Sequence, residues 1–137
     1  MAADAAVSGA YGSAGERCMA ISIVVAVGDV ADPLIAAIEE RMAKIKVGPG
    51  SDSASEMGPL ITREHRDKVA SYVTNAASEG ATVAVDGRQD PAGQRPGFFL
   101  GASLLDRVTP QMRCYQDEIF GPVLGVVRVD KIGRAHV

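Results

Sequence analysis

The stretch CMAISIVVAVGDVADPLIAAIEERMAKIK, residues 18–46, decides the fold. Its first part, 18–28, is a short and nearly continuous apolar run with Ile21, Ile23, Val24, Val25 and Val27, the pattern of a strand buried on both faces. A core strand is therefore expected over 19–27. Asp32 then offers an N-cap and Pro33 the residue best tolerated at a first helical position. Leu34, Ile35, Ile38, Met42 and Ile45 follow at helical spacing, which predicts a helix ending near Lys46.

Working outward, AADAAVSGAYGSAGE (2–16) is rich in small residues and suits a helix or a tightly packed turn. Downstream, VGPGSDSASEMGP (47–59) reads as an ordered loop or surface connection. Thr62 is placed to cap a second helix carrying Val69, Tyr72, Val73, Ala76 and Ala77 on one face, and Gly80 to end it. ATVAV (81–85) alternates as a strand, 86–97 is a polar turn region, 97–105 contains a further apolar run, and PVLGVVRVD (122–130) is a last strand after the turn EIFG. Helices alternating with strands imply an α/β domain whose sheet is at least partly parallel.

Composition narrows the function. The chain has 137 residues, 47% of them hydrophobic, enough for one core. A net charge of -3, from 14 basic and 17 acidic residues, supplies no positive field for nucleic acid or anionic lipid. No apolar run approaches a membrane span and the start does not read as a signal peptide, so a cytoplasmic protein is expected. Cys18 and Cys114 stand far apart without CxxC spacing or a His/Cys cluster, so no metal site and no disulfide is expected.

On pattern alone Cys18 reads most simply as an inert, packed thiol at a strand edge. Arg17 beside it would favour the thiolate, and Gly12 and Gly15 would admit a ligand close to backbone N–H groups. His65 reads as a solvated helix residue, the only base on offer for a thiol hydrolase, and Cys114 as structural. Glu118, next to Asp117, is equally a surface acid by composition.

Four segments carry a resemblance: GSAGERCMAIS (12–22), VGPGSDSASEMGPLIT (47–62), GFFLGASLLDRVTP (97–110) and DEIFGPVLGVVRVD (117–130). In order and separation they resemble the aldehyde dehydrogenase superfamily, and most of all its CoA-acylating, methylmalonate-semialdehyde branch. The resemblance implies that residues 1–130 are part of a catalytic domain. It implies that Cys18 attacks an aldehyde to give a thiohemiacetal, that its backbone N–H holds the oxyanion, and that hydride leaves for NAD. Glu118 and Phe120 would contact the nicotinamide ribose. Arg17 would recognise a substrate carboxylate, a geometry that suits a guanidinium fork. Coenzyme A would then remove the acyl group after loss of CO2.

The resemblance further implies a homo-oligomeric enzyme of several hundred residues, of which this chain is a fragment. The general-base position that separates hydrolytic members, which give a carboxylic acid, from CoA-acylating ones falls upstream. A non-catalytic α/β binding domain is a second alternative, against which Cys18, Glu118 and Phe120 argue. Residues 131–137, KIGRAHV, depart from the family pattern and are expected to be a poorly packed tail of sequencing-adapter origin. Cys18 and Glu118, although about a hundred residues apart, are expected to face one cleft.

Overall fold

The computed structural model describes residues 1–134. It has four helices, α1 (Ala2–Tyr11), α2 (Ala31–Met42), α3 (Arg63–Glu79) and the one-turn α4 (Arg113–Gln116). Four strands, β1 (Ile23–Val27), β2 (Thr82–Val85), β3 (Ser103–Asp106) and β4 (Val123–Val129), form one sheet in the order β1-β4-β3-β2. β4 runs parallel to both β1 and β3, while β2 pairs antiparallel to β3 with an irregularity between Val83 and Val85. The α/β class with a partly parallel sheet is what the alternation of patterns demands.

α3 forms where its end signals stand. The Thr62 hydroxyl accepts the His65 N–H at 3.1 Å, and Gly80 adopts φ 104°, a left-handed cap that glycine takes without strain. Val69, Tyr72, Val73 and Ala76 of its apolar face are buried. At the sheet centre Leu104 and Leu105 point to opposite faces and both are fully buried, so apolar groups cover the sheet on both sides there. Segment 2–16 is both things its composition allows, a helix and then a tight turn.

Two expectations are corrected. The strand begins at Ile23 rather than residue 19, because the Ile21 N–H is spent on the Gly9 carbonyl at the end of α1 (3.1 Å) and Met19 lies exposed. Nor is β1 buried on both faces. Only Ala26 is fully buried, and among the described residues β4 is its sole neighbour, at the sheet's border. The second correction concerns Asp32, which is not the N-cap of α2. A 3-10 turn over Gly28–Val30 leads in, Val30 stands at the cap, and the helix starts at Ala31. Pro33 fits this earlier start because the first turn has N–H groups to spare. At its far end α2 stops at Met42 and continues to Ile45 only as looser turns. Of the tail, Ile132 is exposed, and His136 lies outside the described residues.

Polar contacts lock the layers. The Tyr11 hydroxyl, at the end of α1, donates to the Ser103 carbonyl at 2.9 Å, and the Ser103 hydroxyl accepts the Gly87 N–H at 3.0 Å. Arg128 of β4 forks onto buried Asp106 of β3 (2.9 and 2.8 Å) and also reaches Asp32 at 2.7 Å. Burial works to raise the Asp106 carboxyl, but the Arg128 fork and the Arg107 N–H outweigh it and hold it below the usual aspartate range.

Tyr11→Phe should cost about 1 kcal/mol, the worth of one buried hydrogen bond, whereas Leu124→Ala should cost about 2–5 kcal/mol through the cavity it leaves. Urea denaturation of the two variants separates these, and equal losses would contradict the assignment. Because the folded Asp106 value is depressed, its contribution is present above the ordinary value of 3.8 and is lost as pH falls from there through the folded value. Arg128→Met should flatten that acid limb in a pH series of unfolding midpoints, and an unchanged limb would reject the pair as its cause.

Candidate active site

Two turns from opposite ends of the chain meet to build the site. The first follows α1, where Ser13 (φ 53°), Ala14 (φ 55°) and Gly15 (φ 71°) take left-handed backbone in succession. This reversal turns the chain out of the helix, keeps the Glu16 side chain largely covered and delivers Arg17 and Cys18 to the surface before β1. Gly15 has a steric reason to be glycine, since a Cβ there would sit 2.2 Å from the Gly121 carbonyl oxygen. Arg17 folds back over the end of α1, its Nη2 donating to the Ser8 and Gly9 carbonyls at 3.2 Å each. A cation is favourable at that helix terminus, and the contact fixes the residue before the thiol.

The second turn, 117–121, precedes β4. Asp117 accepts a hydrogen bond from the Tyr72 hydroxyl at 2.9 Å and pairs with Arg113 at 3.2 Å; the two together hold its carboxyl below the usual range. Ile119 is buried, so Glu118 and Phe120 on either side of it face outward. Phe120 has φ 54°, and Gly121 beyond it fits against α3 so closely that a Cβ would lie 2.6 Å from a Val69 methyl.

The turns enclose a small cleft of about 90 Å³ whose walls include Arg17, Cys18, Glu118 and Phe120, with Gly15 and Gly121 at the join. All four residues singled out from the sequence therefore come together. A larger open groove of about 340 Å³ lies elsewhere, between the end of α2 and the β2–β3 region; it is lined by Glu39, Asp86 and Asp90 and has no nucleophile.

Cys18 is exposed, contrary to its reading as a packed thiol. Cys114 is buried, and burial pushes its thiol up. Among the described residues, the Glu118 carboxylate has no ion pair and no hydrogen-bond partner, which leaves it free to accept from a diol, with the Phe120 ring as an apolar wall beside it. Among the described residues there is also no group of three or more His, Cys, Asp or Glu side chains placed to hold a metal ion, and no helix long and apolar enough to cross a membrane.

Composition and spacing gave no sign of His65 here. Its Nε2 lies 2.7 Å from the Phe120 carbonyl oxygen and 3.7 Å from Glu16 Oε1. The sole hint was its position three residues after the Thr62 cap, which fixes the side chain on the first turn of α3.

A thiol-bearing turn and an acidic-aromatic arm thus close on one another through paired glycines. The chain belongs to the aldehyde dehydrogenase family, whose model matches residues 1–136 and so runs beyond Asp130 into the tail. It is similar to the malonate-semialdehyde dehydrogenase of Pseudomonas aeruginosa, with 51% identity over 98% of this chain and 27% of that protein. The crystal structure of methylmalonate-semialdehyde dehydrogenase from Oceanimonas doudoroffii superposes with a TM-score of 0.94 at 51% identity, over 98% of this chain and 28% of that one. A putative methylmalonate-semialdehyde dehydrogenase from Sinorhizobium meliloti, complexed with NAD, gives 0.90 at 43% identity, over 95% of this chain and 27% of that one. The chain thus spans little more than a quarter of the length of these relatives.

The two thiols should react unequally. In the native state one equivalent of an alkylating reagent should be taken up quickly, at Cys18, and Cys114 should follow only in denaturant. Peptide mapping that finds the native label on Cys114 would contradict the geometry.

Proposed function

We propose that the full-length protein carrying this chain oxidises malonate or methylmalonate semialdehyde with NAD and passes the acyl group to coenzyme A. The observation that carries this reading is the convergence of Cys18, Arg17, Glu118 and Phe120 on one cleft in a chain 51% identical to semialdehyde dehydrogenases.

Cys18 is the nucleophile. Its thiolate, the reactive form of a cysteine, adds to the aldehyde carbon and forms a thiohemiacetal. The Cys18 backbone N–H stabilises the resulting oxyanion. NAD, when bound, supplies the hydride acceptor. The chain's part in that transfer is placement: the Glu118 carboxylate accepts from the ribose hydroxyls, and the Phe120 ring flanks them. Loss of hydride leaves a thioacyl enzyme on Cys18.

Arg17 recognises the substrate carboxylate. Nη2 already serves two α1 carbonyls, so the guanidinium is pre-oriented, and the N–H groups of Nε and Nη1 are left to donate singly to the substrate. A carboxylate β to the thioester carbonyl can leave as CO2 while the carbonyl takes up the electrons, and the enolate so formed takes a proton at its α carbon to restore the thioester. Coenzyme A then attacks the thioester and releases acetyl-CoA or propionyl-CoA. We place the full-length protein in the cytoplasm, where a free thiol stays reduced, as a homo-oligomer.

Cys18→Ala in the full-length protein should abolish aldehyde-dependent NADH formation, and the isolated 137-residue chain should show none. Arg17→Lys replaces a planar guanidinium held by α1 with a flexible point charge, and kcat/KM should fall at least tenfold more for the carboxylated semialdehyde than for a neutral aldehyde of similar size. An equal fall for both would reject the carboxylate role and leave the aldehyde chemistry standing.

A further inference from the structure

We propose that His65 is a positioning residue that holds the Glu118–Phe120 arm against the nucleophile turn; the inference rests on the cofactor role given to that arm above. A carbonyl oxygen only accepts, so at 2.7 Å from the Phe120 carbonyl the His65 Nε2 carries the proton and donates it. The contact joins residues 55 apart in sequence.

Phe120 needs such a partner. Its φ of 54° places a bulky aromatic residue in left-handed backbone, a conformation that persists only where its surroundings hold it. On one side Gly121 is wedged between Gly15 and Val69, which leaves no slack. His65 acts on the residue before it, and the only side-chain hydrogen bond to the 118–121 backbone among the described residues is this one. Without that hold, only the Gly121 side of the turn is fixed, and the outward pair Glu118 and Phe120 loses its anchor on the other.

The clamp is itself firmly mounted. The backbone N–H of His65 is held by Thr62 at the start of α3, and Val69 and Val73, one and two turns on, are fully buried. Glu16 Oε1 lies 3.7 Å from the same Nε2, on a side chain only 10% exposed and two residues ahead of Cys18. One imidazole thus stands between the arm that positions the cofactor and the segment that carries the thiol.

The test uses the full-length protein with NAD and the semialdehyde. His65→Leu keeps bulk but removes the donor, while His65→Gln restores an N–H donor at a helix position glutamine favours. In His65→Leu, KM for NAD should rise and single-turnover hydride transfer should slow, each about tenfold, the order expected for one lost hydrogen bond. KM for the aldehyde and the unfolding midpoint should stay near wild type, and His65→Gln should recover most of the loss. A His65→Leu enzyme that matches an active wild type overturns the inference, as does a His65→Gln enzyme no better than His65→Leu. A wild-type protein that reduces no NAD with any aldehyde overturns the functional reading itself, and the inference with it.

Discussion

Everything at the site depends on one close approach of two backbones. Gly15 and Gly121 meet with no room for a single methyl between them, the missing Cβ falling 2.2 Å from a carbonyl oxygen. Each glycine ends a turn that carries chemistry, the thiol on one and the acid and aromatic on the other. With a side chain at the join the two turns could not approach as they do, and the cleft between the thiol and the acidic-aromatic arm would open. The layers behind serve this contact: Tyr11 ties the helix before the first turn to β3, and Val69 of α3 backs the second.

The site separates anchoring from reacting along the chain. Ile119 is buried and its neighbours are not; Asp117 is held by Tyr72 and Arg113 while Glu118 keeps its carboxylate free. Arg17 lines the cleft while its Nη2 is bonded to the end of α1. Alternation of fixed and free groups at consecutive positions gives a rigid cleft without burying the groups that must meet substrate.

What could be read from the sequence follows from how local each cause is. α3 was legible from end to end because Thr62, the apolar spacing and Gly80 act within a few residues of one another. The strand start was not, since the apolar run continues back through Ile21 and only a tertiary contact, the Gly9 carbonyl, takes its N–H out of the ladder. The lead-in to α2 failed for a like reason: Asp32 is drawn to Arg128, which is 96 residues away. Cys18 and Glu118 carried no decisive signal by composition, and it was the resemblance of whole segments that joined them. His65 passed for a solvated residue because its partner, a backbone carbonyl, has no side chain for a sequence to display.

The two borders of the sheet differ in kind. β2 carries an irregular register between Val83 and Val85, and a bulged strand makes a poor template for another. β1 pairs with β4 in unbroken register from Ile23 to Val27, and among the described residues its other side has no strand. An open row of peptide groups in regular pleat accepts a neighbour at once. The sheet is therefore asymmetric at its borders: a broken ladder ends at β2, and an unbroken one at β1, the border that begins five residues after the thiol.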